Sequence, residues 1–278
     1  MNVILLTAVK SSVPTLTHAI SSQGGYGVCG VTSLGDDIFL VRYDSQRIEV
    51  YDSKTFTLQR HIAVPGLGRW PIGIAACARN RCIYLSDYDN ERVCKVKLKR
   101  RKSIKKWSVA SGPAGLSVNS AHNLIVACCE ANRIQEYRPS GSLVREITLQ
   151  SGVTRPWHAV QLTTGLYVLC QFTSPGVVTV VGLEGQVVRR YGQSHTGPKM
   201  ITTCLAVTHN DSILVADQCN NRILLMNTSL SSVEELALSV DDRIQLPCSL
   251  HLDVSRGRLY IGEWGGQHRV LVFDGVTL

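Results

Sequence analysis

The sequence predicts an all-β fold, a six-bladed β-propeller of four-stranded antiparallel blades, and three observations carry that expectation. Short β-branched and aromatic runs open at Ile38, Ile83, Leu124, Leu166, Ile213 and Leu259, so by subtraction they recur every 45, 41, 42, 47 and 46 residues. Five of the six copies place an Arg nine or ten residues later, at Arg47, Arg92, Arg133, Arg222 and Arg269, each followed by Ile or Val. Glycine is frequent, with 23 in 278 residues, and polar turn clusters separate the apolar runs. A period of this size carrying several short strands means blades around an axis. One domain is expected over the whole chain, with no composition break to mark a second.

In chain order, the blades are expected over about 29–64, 70–108, 112–149, 155–192, 199–238 and 246–278. Blade one reads as strands Gly30 to Ser33, Ile38 to Arg42, Ile48 to Tyr51 and Thr57 to Ile62. Gly35-Asp36-Asp37, Asp44-Ser45-Gln46 and Asp52-Ser53-Lys54 turn the chain between them. Later blades open at Trp70-Pro71, Gly112-Pro113, Arg155-Pro156, near Thr202, and at Leu246-Pro247. The sixth blade runs out of chain one strand short, and an open blade would leave an unpaired edge. The early apolar piece Leu16 to Ile20, within 14–21, is therefore expected to complete it. Ser231 to Leu238 holds the single helical pattern.

Composition narrows function only coarsely. Charged residues make up 18%, which excludes disorder, and a net charge of +8 favours an acidic partner. The ten cysteines hold no Cys-x-x-Cys pair and fall mostly in apolar runs, where they act as small buried hydrophobes. That usage points to a reducing, cytoplasmic setting without disulfides. Met1 to Val9 is apolar but short and lacks a preceding basic residue, so neither a leader nor membrane insertion is expected.

The unit Pro71-Ile72-Gly73-Ile74-Ala75, followed by Ile83-Tyr84-Leu85-Ser86-Asp87 and Asn90-Glu91-Arg92-Val93, resembles the NHL repeat. It recurs as Ala216-Asp217-Gln218-Cys219-Asn220-Asn221-Arg222-Ile223. The chain from about Cys29 to Phe273 is thus similar to the C-terminal propeller of tripartite-motif NHL proteins. That resemblance implies a recognition module, such as the substrate-recruiting end of a ubiquitin ligase. Two copies depart from the pattern: blade one has Arg42 where blade two has Asp87, and blade four has Phe172-Thr173-Ser174-Pro175-Gly176 in place of the polar loop.

In a propeller, the connections between blades and the loops joining second to third strands share one face, where binding usually sits. That face collects Tyr43, Trp70, Tyr88, Trp157, Phe172 and Trp264, interleaved with Arg42, Arg69, Arg155, Lys199 and His268. Rings stack on splayed bases while Arg and Lys hold phosphates, the combination that single-stranded RNA needs. The bland alternative is that the rings cap blade ends. His158 is a further candidate, because the other copies hold Gly30, Gly73, Gly115, Cys204 and Ser249 there. A core histidine bonded to a neighbour is the competing reading. The recurrent Arg is expected to be structural, with Asp87 a partner for Arg92.

A second basic patch, Lys95, Lys97, Lys99, Arg100, Arg101 and Lys102, continues to Lys105-Lys106 and belongs to an outer hairpin of blade two. It reads either as a site for phosphate or anionic lipid, or as a solvated edge that resists sheet pairing. No catalytic arrangement emerges. Asp87, Asp217 and Glu263 sit at strand ends, and His158 and His251 together make a poor metal site without a carboxylate. The expectation is a monomeric, non-catalytic binding module without metal, cofactor or small-molecule substrate. Single-stranded RNA is the leading expectation for its partner, an acidic protein on an interaction platform is the alternative, and a metal-dependent hydrolase or lyase is the third reading.

Overall fold

The computed structural model describes residues 13–21, 26–98, 103–192, 200–239 and 244–278. They form six four-stranded antiparallel sheets arranged as blades. Strand β1 (Thr15–Ile20) comes first in the chain but belongs to the last blade. Blade one is β2 to β5 (Val28–Leu34, Asp37–Arg42, Arg47–Asp52, Leu58–Ala63). Blade two is β6 to β9 (Ile74–Cys77, Cys82–Asp87, Arg92–Lys97, Ser103–Ser108). Blade three is β10 to β13 (Pro113–Val118, Leu124–Cys128, Arg133–Tyr137, Leu143–Thr148). Blade four is β14 to β17 (Pro156–Gln161, Tyr167–Gln171, Val177–Val181, Val187–Tyr191). Blade five is β18 to β21 (Thr202–Val207, Ile213–Asp217, Arg222–Met226, Val233–Glu235). Blade six is β22 to β24 (Pro247–Asp253, Arg258–Glu263, Val270–Asp274), completed by β1.

Closure follows from pairing. β1 runs antiparallel to β24, with Leu16 opposite Phe273 and Ile20 opposite Val270. The edge that blade six would otherwise expose is thereby filled from the other end of the chain. The helical pattern at Ser231 to Leu238 is overturned. Val233–Glu235 is instead the short outer strand of blade five, where pairing of Leu224 with Glu235 and Met226 with Val233 wins over local propensity.

The core is divided among the gaps between blades. Side chains alternate along each middle strand, so Ile38 and Leu40 pack toward Tyr260 and Val272 of blade six. Their neighbours Phe39 and Val41 pack toward Ile83 and Leu85 of blade two. Strands buried on both faces read as continuous apolar runs, and that is why the strand openings are so visible in the sequence. Each blade thus contributes one face to each of two apolar layers.

Candidate recognition site

Two adjacent residues at the end of each second strand have different duties. The first is a polar latch in every blade but the third, which holds Cys128 there and sends the Ala110 N–H to Gln135 Oε1 at 2.9 Å. In blade two the buried Asp87 carboxylate accepts from Arg92 Nε at 2.7 Å, Asn90 Nδ2 at 2.8 Å and the Gly68 N–H at 2.9 Å. Blade five repeats it with Asp217, Arg222 Nε at 2.9 Å and Asn220 Nδ2 at 2.7 Å. Blade six uses Glu263, which accepts from Arg269 Nε and the Gln245 N–H, each at 2.8 Å. The recurrent Arg at these blades is therefore a fastener. Blade four fills the place with Gln171, which accepts from the Thr154 N–H at 2.7 Å.

Blade one reverses the polarity and corrects the assignment of Arg42 to the binding face. Arg42 is 3% exposed, pairs with Glu49 at 3.1 Å and donates to the carbonyls of His268 at 2.8 Å and Tyr26 at 3.3 Å. A guanidinium can replace the carboxylate because Glu49, seven residues on, supplies the opposite charge.

The second residue of each pair builds the mouth of the central channel. Its N–H bonds to the carbonyl of the residue that leads into the first strand, in all six blades. These pairs are Tyr43 with Gly27, Tyr88 with Trp70, Cys129 with Gly112, Phe172 with Arg155, Gln218 with Ile201, and Trp264 with Leu246. The bonds, 2.7 to 3.2 Å long, draw twelve residues into a collar. Beneath it lies a cavity of about 710 Å³ lined by the first strands. Trp70, Tyr88, Arg155, Phe172, Leu246 and Trp264 stand at its mouth, with Trp157 and Thr203 inside.

The rings form two groups. Trp70 and Trp264 are parallel within 10° at 5.8 Å between centroids, and Tyr43 meets Trp70 edge-on at 4.6 Å. Across the mouth, Trp157 stacks on Phe172 at 4.6 Å, and Tyr88 is tilted toward Trp157 at 6.5 Å. Trp157 reaches the channel because the register of β14 with β15 slips between Pro156 and His158. A bulge there turns its side chain inward, as bulges do beside binding sites. Trp70 keeps 38% of its surface exposed, held by Asp89, which accepts from the Arg69 and Trp70 N–H groups at 2.6 and 3.1 Å.

The charges here are few and mostly paired. Arg69 donates to both Asp44 oxygens at 3.1 and 3.3 Å and lies 5.7 Å over the Tyr43 ring. Arg155 lies 5.6 Å over Phe172, with Glu130 3.9 Å from its guanidinium. Glu130 itself accepts from Tyr88 Oη at 2.7 Å, and burial together with this bond pushes the Tyr88 phenol upward. His268 lies in the β23–β24 turn and offers its carbonyl to Arg42. Lys199 falls outside the described residues.

His158 lines the cavity, yet both ring nitrogens are already used, which corrects its assignment as a binding group. Nδ1 accepts from the Leu205 N–H at 3.0 Å, so Nε2 carries the proton and donates to the Leu116 carbonyl at 3.0 Å. The ring ties blades three, four and five together, and burial lowers its pKa to about 4. It fits because its neighbour is Gly115, where a Cβ would come within 2.5 Å of His158 Cδ2. His251 is likewise lowered to about 4 by burial and bonds Ser33 Oγ at 2.8 Å.

The second basic patch is also partly structural. Lys95 is buried and donates to the Pro139 carbonyl at 2.5 Å, while Lys105 donates to Ser140 at 2.6 Å. Lys106 donates to the Pro65 carbonyl on the other side, so these lysines staple blade two to both neighbours. Lys97 is exposed, and Lys99, Arg100, Arg101 and Lys102 fall outside the described residues.

All ten cysteines are free. Burial pushes the channel thiols of Cys29 and Cys204 up to about 12 and 11, so they stay protonated and are poor nucleophiles or metal ligands. Among the described residues, no three His, Cys, Asp or Glu side chains come together as a metal-holding group. No helix among them is long and apolar enough to cross a membrane.

Sequence reasoning missed Leu246, Asp89, Gln218 and Glu130. Leu246 was legible from the shared register of Arg155-Pro156 and Leu246-Pro247. The other three gain their roles from partners in other blades or connections.

Fold and mouth together define the molecule as a six-bladed β-propeller with an aromatic-rimmed central well. No family model and no curated protein matches the sequence. Similar solved structures include Kuenenia stuttgartiensis hydrazine synthase, at 19% identity and a TM-score of 0.66, covering 91% of this chain and 80% of that one. A catalytically inactive virginiamycin B lyase from Staphylococcus aureus with quinupristin shares 11% identity, with a TM-score of 0.65 over 94% of this chain and 88% of its own. The WD40 propeller domain of Doa1 shares 12% identity, with a TM-score of 0.62 over 94% and 97%. Likenesses at these identities carry the fold alone.

Proposed function

We propose that this chain is a non-catalytic recognition module that takes an extended protein segment by its apolar side chains in the central well. The observation that carries this is the mouth itself: partly exposed rings over a mostly apolar cavity of about 710 Å³. Aromatic residues in a desolvated pocket are where interfaces concentrate their binding energy. Among the described residues Arg69 is paired with Asp44 and Arg42 with Glu49, which leaves Arg155 as the rim guanidinium without a close carboxylate. The thiols held protonated by burial and the His158 ring bonded at both nitrogens favour binding over catalysis. The NHL-like repeat favours a recruiting role of the tripartite-motif kind, and the free thiols favour a cytoplasmic setting.

Single-stranded RNA is the second reading, favoured by the parallel Trp70 and Trp264 rings with Arg69 and Arg155 beside aromatic partners. Selection from a random peptide library on the whole chain, beside gel shifts with a random 12-nucleotide RNA at low salt, separates the two. Enrichment of aromatic or aliphatic anchors that is lost in Trp70→Ala supports the protein reading. RNA binding that collapses with rising salt, with no peptide enriched, overturns it.

A further inference from the structure

The collar admits a comparison that names the chemistry of the partner, and this step rests on the protein-segment reading above. Its twelve positions are Gly27, Trp70, Gly112, Arg155, Ile201 and Leu246 on the entering side, and Tyr43, Tyr88, Cys129, Phe172, Gln218 and Trp264 on the other. Arg155 is the one formally charged residue among the twelve.

Its backbone is unusual for what it carries. Four collar residues precede a proline, and three of them have a left-handed conformation, at φ +72° for Gly112, +50° for Arg155 and +46° for Leu246, whereas Trp70 before Pro71 does not. Blade three meets the requirement with glycine. Blades four and six hold side chains there at a cost of about 1–2 kcal/mol each, and both side chains line the well. Strain retained at a pocket mouth is a pointer to use. The Arg155 N–H donates to Asn132 Oδ1 at 2.8 Å and its carbonyl accepts from Phe172, which together fix the turn.

The guanidinium has the Cys129 sulfur within hydrogen-bonding reach but no close carboxylate. Glu130 stands 3.9 Å away and is engaged by Tyr88 Oη, whereas Arg69 holds both oxygens of Asp44 within 3.3 Å. Half of the Arg155 side chain is exposed, and its guanidinium lies 5.6 Å over the Phe172 ring. Among the described residues Arg155 is the rim guanidinium without a close carboxylate, and it suits one carboxylate beside one ring, through a charge-assisted and often bidentate hydrogen bond.

We infer that the well selects an acidic-aromatic segment: an aromatic anchor enters between the two ring groups while a neighbouring Asp or Glu of the partner pairs with Arg155.

The test is peptide-library selection on the whole chain and on its Arg155→Gln and Arg155→Lys variants, with circular dichroism to check folding. Wild type is expected to enrich an Asp or Glu within two residues of an aromatic. Arg155→Gln should keep the aromatic and lose the acid, and Arg155→Lys should keep both. A synthetic winner should bind Arg155→Gln about tenfold more weakly, while its Asn or Gln analogue binds both proteins alike. Aromatic enrichment without an acid in wild type overturns this inference and leaves the protein-segment reading standing. An acid preference that survives Arg155→Gln also overturns it. No aromatic enrichment, with 12-nucleotide RNA binding that Arg155→Gln weakens, overturns both in favour of a phosphate partner.

Discussion

Asp87 and Tyr88 are neighbours in the chain, yet one belongs to the fold and the other to the surface. The same holds in blade six for Glu263 and Trp264, and in blade four for Gln171 and Phe172. The inner member of each pair is buried and accepts from the connection entering its own blade. The outer member turns to the channel mouth, where the copies diverge into Tyr, Tyr, Cys, Phe, Gln and Trp. One residue of offset moves a side chain from the latch to the collar. Repetition therefore marks what holds the blades, and divergence marks where a partner would be read.

The largest effect should come from breaking the latch. Asp87→Ala removes a buried acceptor shared by three donors and leaves Arg92 and the Gly68 N–H without it. A loss of about 3–5 kcal/mol is expected, read as a lower urea midpoint. A loss below 1 kcal/mol would mean that the latch does not hold the blade.

Acid should act next. The folded pKa of His158, about 4, lies below its ordinary 6.5, so the unfolded chain binds the proton first. Its contribution is complete above pH 6.5 and falls as pH drops toward 4, by up to about 3 kcal/mol. His251, which burial lowers to the same value, loses its contribution over the same window. Urea midpoints between pH 7.5 and 4.5 check this, and His158→Gln should flatten the slope. An unchanged slope in that variant would assign the acid sensitivity elsewhere.

The collar should respond in the opposite sense. Trp70 is 38% exposed, so Trp70→Ala is expected to cost about 1 kcal/mol or less in stability while weakening the binding of a selected peptide tenfold or more. The smallest effect belongs to the exposed staple. Lys105→Ala removes a surface bond to the Ser140 carbonyl and should shift stability by about 0.5 kcal/mol or less, with peptide binding unchanged.

Much of the fold was legible because each blade rewrites one pattern. Middle strands buried on both faces become apolar runs, and the missing sixth outer strand called for Leu16 to Ile20. The Asp87–Arg92 fastener could be read the same way, since a residue that recurs in register answers to the repeat. The misreadings came where long-range partners decide the role. Arg42 looked like a surface cation because its carboxylate, Glu49, is offered by the next strand rather than by the latch position. His158 looked exceptional because the atoms it bonds, at Leu116 and Leu205, lie 42 and 47 residues away. Lys95 was counted with a solvated run, although its amine reaches the hairpin of blade three. The rings gathered at one face because loop class alone fixes which end of a blade they occupy. Their division into two groups, and the standing of Arg155 as the one charged member of the twelve, needed the collar bonds.

The separation of latch from collar is tested most directly by one titration. Tryptophan emission of the wild-type chain and of Trp70→Ala is followed against a peptide selected on the wild type, with thermal melts of both proteins alongside. A saturable change in the wild type, weakened tenfold or more in a variant that melts within about 2 °C of it, is the expected result. Equal affinity in the two proteins would contradict it and place the partner outside the aromatic well.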